Sequence, residues 1–102
     1  MIKDFGVSMN DATLEHKLNG GNELNGNYCF WTFEKGVPEG IEEGSKMWVA
    51  NRGRWIGYFV IHSQIDYLNE VHFHSESFVK TDKGERSPFQ GYTWNVPTEA
   101  EI

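Results

Sequence analysis

Between residues 45 and 64 the chain carries three cations, Lys46, Arg52 and Arg54, and no carboxylate. The formal net charge of the whole 102-residue chain is −6, so this stretch is a positive island in an acidic molecule. Ammonium and guanidinium groups placed this way suit contact with phosphate. Trp48 and Trp55 flank the two arginines, and indole faces beside cations suit stacked bases on a single strand or an extruded base. Asn51, in the same turn, offers an amide to a base edge. Trp31 and Thr32 lie in a second aromatic run, and with Trp48 and Trp55 they could line a pocket for a planar ligand. The expected ligand site is therefore Trp31, Thr32, Trp48, Asn51, Arg52, Arg54 and Trp55. A tryptophan in a strand is equally a core residue, and an arginine in a turn is equally a solvated one.

A second constellation is His72, His74 and Glu76, with His62 as a further member. Alternate residues of a strand share a face, and such sets serve as metal ligands. Two exposed histidines flanking a buried Phe73 satisfy strand alternation just as well, so no metal is expected, with His72 and His74 the residues to consider. Ser63, Ser75, Ser77 and Thr93 have no recognisable nucleophile context, and Glu42-Glu43 reads as a solvated loop edge. There is no Gly-rich phosphate loop. Nothing in the chain calls for a cofactor, and the reading leans away from an enzyme.

These groups must be carried by a single small domain, because 102 residues leave no room for two. Seven Phe, four Trp and four Tyr supply a core, each ring burying roughly 150–250 Å². The lone Cys29, in the run Tyr28-Cys29-Phe30-Trp31, cannot form an internal disulfide and reads as a buried small hydrophobe. The acidic balance opposes non-specific attraction to nucleic acid or anionic membrane. Met1-Ile2-Lys3-Asp4 opens no apolar stretch of signal-peptide length. No run approaches the ~18 residues a membrane span needs, so a cytoplasmic protein without membrane contact is expected.

Ser8, Asn10 or Asp11 can cap a helix that shows Leu14 and Leu18 on one face and stops at Gly20-Gly21. A short strand over 2–7 precedes it and a Gly- and Asn-rich loop over 20–27 follows. Strands are then expected over 28–33, 46–50, 54–62, 71–80 and 89–96, with a charged turn over 82–86. The segments 46–50 and 54–62 form a hairpin across Asn51-Arg52-Gly53. Both are apolar on both faces, which suits a barrel or a layer covered on each side. Gly57 within the second marks a bend or a close backbone approach. The fold class is mostly β with one N-terminal helix (α+β), a small partly open barrel of five to six strands.

The order of elements narrows this choice. Glu43-Gly44-Ser45-Lys46-Met47-Trp48 followed by Trp55-Ile56-Gly57-Tyr58-Phe59 resembles the PUA-like superfamily, above all its ASCH and EVE branches. Those domains pair a Gly-Asp-x-hydrophobic strand opening with a hydrophobic-Gly-x-hydrophobic strand. Phe89-Gln90-Gly91-Tyr92-Thr93-Trp94 resembles a closing barrel strand. The resemblance covers nearly the whole chain and implies a PUA-like barrel over 1–102; for EVE-type domains it also implies an aromatic pocket for a modified base. The chain departs from the ASCH pattern after Leu18-Asn19-Gly20-Gly21, where Asn22, Glu23 and Asn25 stand in place of Lys, Thr and Glu. The amidohydrolase-like chemistry of some ASCH proteins therefore does not carry over.

The leading expectation is a non-enzymatic module binding nucleic acid or a nucleotide. In it Arg52 and Arg54 meet phosphate, Trp31 and Trp55 stack, and Asn51 or Thr32 reads a base edge. One alternative is a small acidic inhibitor, of phage or mobile-element type, that blocks a host nucleic-acid enzyme by protein–protein contact. The third is a hydrolase of a modified nucleoside using Glu23 or the His72/His74 pair.

Overall fold

The computed structural model describes residues 2–20, 28–87, 89 and 91–97. Among them one α-helix and seven strands follow in the order β1 (Phe5–Ser8), α1 (Asp11–Leu18), β2 (Tyr28–Thr32), β3 (Lys46–Asn51), β4 (Arg54–Ile65), β5 (Glu70–His74), β6 (Val79–Glu85) and β7 (Tyr92–Thr93). Strand makes up 47% of the described residues and forms a curled, open half-barrel. The mostly-β reading with one N-terminal helix therefore holds, and the expected five or six strands become seven.

The first of two corrections accounts for the count. The run 71–80, read as one strand, is broken by a 3-10 turn at Ser75–Ser77 into β5 and β6. Within that turn Ser77 Oγ donates to His74 O at 2.7 Å and accepts from the Val60 N–H at 3.1 Å, so a hydroxyl replaces the lost rung. The second correction concerns the charged turn expected over 82–86. β6 runs on through Asp82 and Lys83 because backbone pairing to β4 (Arg54↔Glu85, Trp55↔Gly84) does not require apolar side chains. The closing strand expected over 89–96 is confined to Tyr92–Thr93 among the described residues.

The hairpin of β3 and β4 organises the sheet, whose strand order is β2-β5-β4-β3-β1-β7, with β6 also paired to β4. Its loop is the two residues Arg52 and Gly53, with φ of 53° and 78°. Positive φ at both positions is the type I′ geometry whose twist matches the strands it joins. One edge of β4 pairs with β3, while the other pairs with β6 and then β5 along its length. Register shifts at Trp55/Gly57 and at Ile61/Ser63 bend this long strand. β1 joins β3 in parallel, Phe5↔Met47 to Ser8↔Ala50, and β7 closes on β1.

β3 is buried on both faces, as its composition implies. Met47 and Val49 enter the main core with Phe5, Val7, Cys29, Phe59, Ile61, Val71 and Phe73. Trp48 and Ala50 enter a second core with Trp55 and Tyr58.

Helix α1 begins at the Asn10 cap, whose side chain accepts from the Thr13 N–H at 2.8 Å. Its inward residues differ from the expected Leu14 and Leu18. Leu14 packs against the main core, but Leu18 is 41% exposed and Lys17 is buried instead. The Lys17 ammonium reaches the edge strand β2, donating to Phe30 O at 2.7 Å and lying 4.6 Å from the Phe30 ring centroid. It thereby occupies a carbonyl that an edge strand otherwise leaves open.

Burial pushes the Lys17 ammonium below its ordinary 10.5, with nearby Cys29 and Glu70 acting in the opposite direction. The folded chain therefore gives up this proton before the unfolded chain does. Stability contributed at this position rises with pH between the folded value and 10.5. Lys17→Met keeps the stem and removes the titration. The stability of the parent relative to this variant is expected to increase as the pH is raised toward 10.5, measured by urea unfolding. Parallel stability curves for the two proteins would contradict this assignment.

Candidate functional site

The two ends of the sheet order, β2 and β7, approach each other where the half-barrel fails to close. Phe33, which follows β2, meets Tyr92 of β7 edge-on, with ring centroids 5.6 Å apart. Phe33 is anchored behind by its N–H donating to Asn69 O at 2.7 Å. Along this seam runs a cleft of about 460 Å³, walled by Trp31, Phe33 and Tyr92 and bordered by Thr32 and the 34–38 loop. Inward alternation along β2 places Cys29 in the main core and packs Trp31 against it. Gly36 and Gly91, with φ of 93° and 70°, turn the backbone at the two rims. The cleft thus offers aromatic surface, the Thr32 hydroxyl, the Glu34 carboxylate and the Lys35 ammonium. These groups can bind and orient a flat ligand.

Of the seven residues expected at the site, Trp31 and Thr32 lie at this cleft. Trp48 and Trp55 belong to the second core, 0% and 5% exposed, with ring centroids 6.5 Å apart. Trp31 and Trp55 therefore sit in different clusters, and the pair expected to stack on one ligand is not assembled. Asn51 uses its amide structurally, donating at 3.0 Å to both Met9 O and Asp11 Oδ1.

Arg52 and Arg54 occupy the hairpin tip, and each meets a carboxylate from a distant segment. Arg52 donates to both oxygens of Asp11, and Arg54 to both oxygens of Asp82 at 3.0 Å. The Arg52 fork, then Asn51, hold the Asp11 carboxyl below the usual carboxylate range. The Gly84 N–H, then Arg54, do the same for Asp82. These exposed pairs neutralise the hairpin more than they stabilise it.

His62 of β4 and His72 and His74 of β5 gather beside Tyr28 of β2. His72 Nε2 lies 2.8 Å from Glu70 Oε1. His74 packs on the Tyr28 ring at 4.2 Å between centroids, and the Tyr28 hydroxyl lies 3.2 Å from His62 Nε2. His72 and His74 share a face as alternation requires, but Glu76 falls in the 3-10 turn, off the strand. Among the described residues no group of three or more His, Cys, Asp or Glu is placed to hold a metal ion. Glu23, Asn22 and Asn25 lie outside the described residues, as does most of the 20–27 loop.

Sequence reasoning missed Phe33, Tyr92 and Arg86. Phe33 and Tyr92 ended or closed expected strands, and only the curl of the sheet brings them together. Arg86 read as part of a charged turn. It instead lies with its guanidinium carbon 6.0 Å from the Trp55 ring centroid and 5.0 Å from that of Phe89. No helix among the described residues is long and apolar enough to cross a membrane. Comparison with protein-family models, curated proteins and solved structures finds no match for this chain.

Proposed function

We propose that this is a non-enzymatic, PUA-like binding module whose ligand is a nucleobase, a nucleoside or a nucleotide held in the seam cleft. The observation that carries the reading is the make-up of that cleft. About 460 Å³ walled by Trp31, Phe33 and Tyr92 falls in the range of small-molecule sites, which are mostly apolar with a few directing polar groups. Thr32 can donate to or accept from a base edge, and Glu34 can accept from an exocyclic amine. Lys35 supplies a cation for a ligand that carries phosphate. The two motifs behind the PUA-like resemblance fall on paired strands, Met47 opposite Phe59, which supports the family reading. Neutralisation of Arg52 and Arg54 by Asp11 and Asp82 favours a single-base ligand over a strand tracked along its phosphates.

Tryptophan fluorescence tests this, because Trp31 lines the cleft and Trp94 packs edge-on against Tyr92, while Trp48 and Trp55 are buried. Nucleosides, nucleotides, short RNA and single-stranded DNA would be titrated at two salt concentrations. Saturable quenching by a nucleoside, nearly independent of salt, is expected. Silence from the whole panel would sink the reading and leave the acidic-inhibitor alternative, for which capture of a basic nucleic-acid enzyme is the next experiment.

A further inference from the structure

Arg86 is the arginine that no carboxylate among the described residues neutralises. Arg52 and Arg54 pair with Asp11 and Asp82. The Arg86 side chain has only the Thr93 hydroxyl as a polar partner among the described residues, at a long 3.4 Å. Its Nε is buried and has no hydrogen-bond partner there. The guanidinium is nonetheless held in place, over the Trp55 and Phe89 rings. Its backbone is held as well, because the Arg86 N–H donates to Gly53 O at 2.7 Å and ties the end of β6 to the hairpin turn.

Two shallow clefts meet at this side chain. One includes Lys83 and Asn95, the other Arg52, Arg54 and Ser87, and both are lined by Glu85 and Arg86. Beyond the paired Arg52 and Arg54, they present two cations, Lys83 and Arg86, against one lining carboxylate, Glu85. On a chain of formal charge −6 this is a local reversal of sign. Asn95 and Ser87 add neutral donors.

We infer that this is a phosphate-binding site with Arg86 as its fork and Lys83 as a second charge. A planar guanidinium already positioned by aromatic rings loses little freedom on binding, and it matches two oxygens of one phosphate group. A buried donor without a partner is the group that a ligand oxygen completes. The long Thr93 contact is readily exchanged for such an oxygen. The site is separate from the seam cleft: Thr93 contacts Arg86, while its neighbour Tyr92 lines the seam, and adjacent strand residues face opposite ways. The inference therefore stands whether or not the seam holds a base. The phosphate could belong to a small molecule or to a nucleic-acid backbone.

The test is a titration of the isotope-labelled chain with inorganic phosphate, pyrophosphate and a short oligothymidylate at constant ionic strength, following the Arg86 Nε–H resonance. A saturable shift is expected. Arg86→Lys keeps the charge but not the fork, and should weaken binding about tenfold or more. Saturation by phosphate or pyrophosphate identifies a small phosphate-bearing ligand, and saturation by the oligonucleotide alone identifies a strand. No saturation by any of the three, or an equal response to sodium chloride, overturns the proposal. Lys83→Gln alters an exposed side chain and covers the case in which Arg86→Lys does not fold. Parent-like affinity in Lys83→Gln also overturns it.

Discussion

Gly57→Ala is expected to destabilise this protein by about 2–6 kcal/mol, lowering its melting temperature by roughly 15–30 °C. β4 passes between β3 and β6 at this residue, Val49 on one side and Lys80 on the other. A Cβ built there would lie 2.3 Å from Val79 O and 2.6 Å from the Phe78 ring, and the φ of +154° is one that L side chains rarely adopt. The close neighbours are a ladder carbonyl and a packed ring, so neither can move aside without unpairing β6. Overpacking and backbone strain each cost about 1–3 kcal/mol, against a total of about 5–15 kcal/mol for a domain of this kind. Gly84→Ala is the matched control. Its φ is +95°, but nothing lies within 4 Å of the added Cβ, so strain alone applies, about 1–2 kcal/mol. Thermal unfolding followed by circular dichroism separates the two. Equal melting temperatures for the two variants would show that the close approach at Gly57 does not constrain the sheet.

Tyr92→Ala is expected to lower affinity for the seam ligand about ten- to a hundredfold, the value of one base–aromatic stack, while costing only about 1–2 kcal/mol of stability through the lost ring contacts with Phe33 and Trp94. Tyr92 is 38% exposed and sits on a two-residue edge strand, so little of the core depends on it. Phe33, 4% exposed, forms the opposite wall and is also part of the main core. Phe33→Ala would therefore confuse loss of binding with loss of fold. Tyr92→Phe keeps the ring and should bind within about threefold of the parent. Calorimetric titration is the suitable readout because it does not depend on Trp31. Parent-like affinity in Tyr92→Ala would place the ligand away from the seam, whatever the fluorescence had shown.

Local features were legible in the chain because their causes are local. The aromatic run of β2, the paired strands β3 and β4 and the Asn10 cap each follow from the chemistry of a few neighbouring residues. The burial of Cys29 and the close approach at Gly57 were read correctly for the same reason. The helix shows where such reading stops. Leu18 has the right spacing for an inward face, yet Lys17 is the residue buried, because an edge carbonyl of β2 lies within reach of its ammonium.

The candidate sites depend on contacts of longer range. Asp11 and Arg52 are 41 positions apart, and Arg54 and Asp82 are 28 apart. No periodicity announces that the positive island near the hairpin is neutralised by them. Likewise, β1 and β3 pair in parallel across an intervening helix and strand, and this places β7 at the edge that curls back toward β2. Residue order and alternation determined that much of this chain forms strands and that β3 and β4 turn back on each other at Arg52-Gly53. The curl of the sheet decided that Phe33 meets Tyr92 at an open seam lined by Trp31, that Trp48 and Trp55 are enclosed in a second core, and that Arg86 has no counter-charge among the described residues. Those outcomes depend on which distant backbone edges hydrogen-bond to one another, a choice made by the whole packed chain and not by any one segment of it.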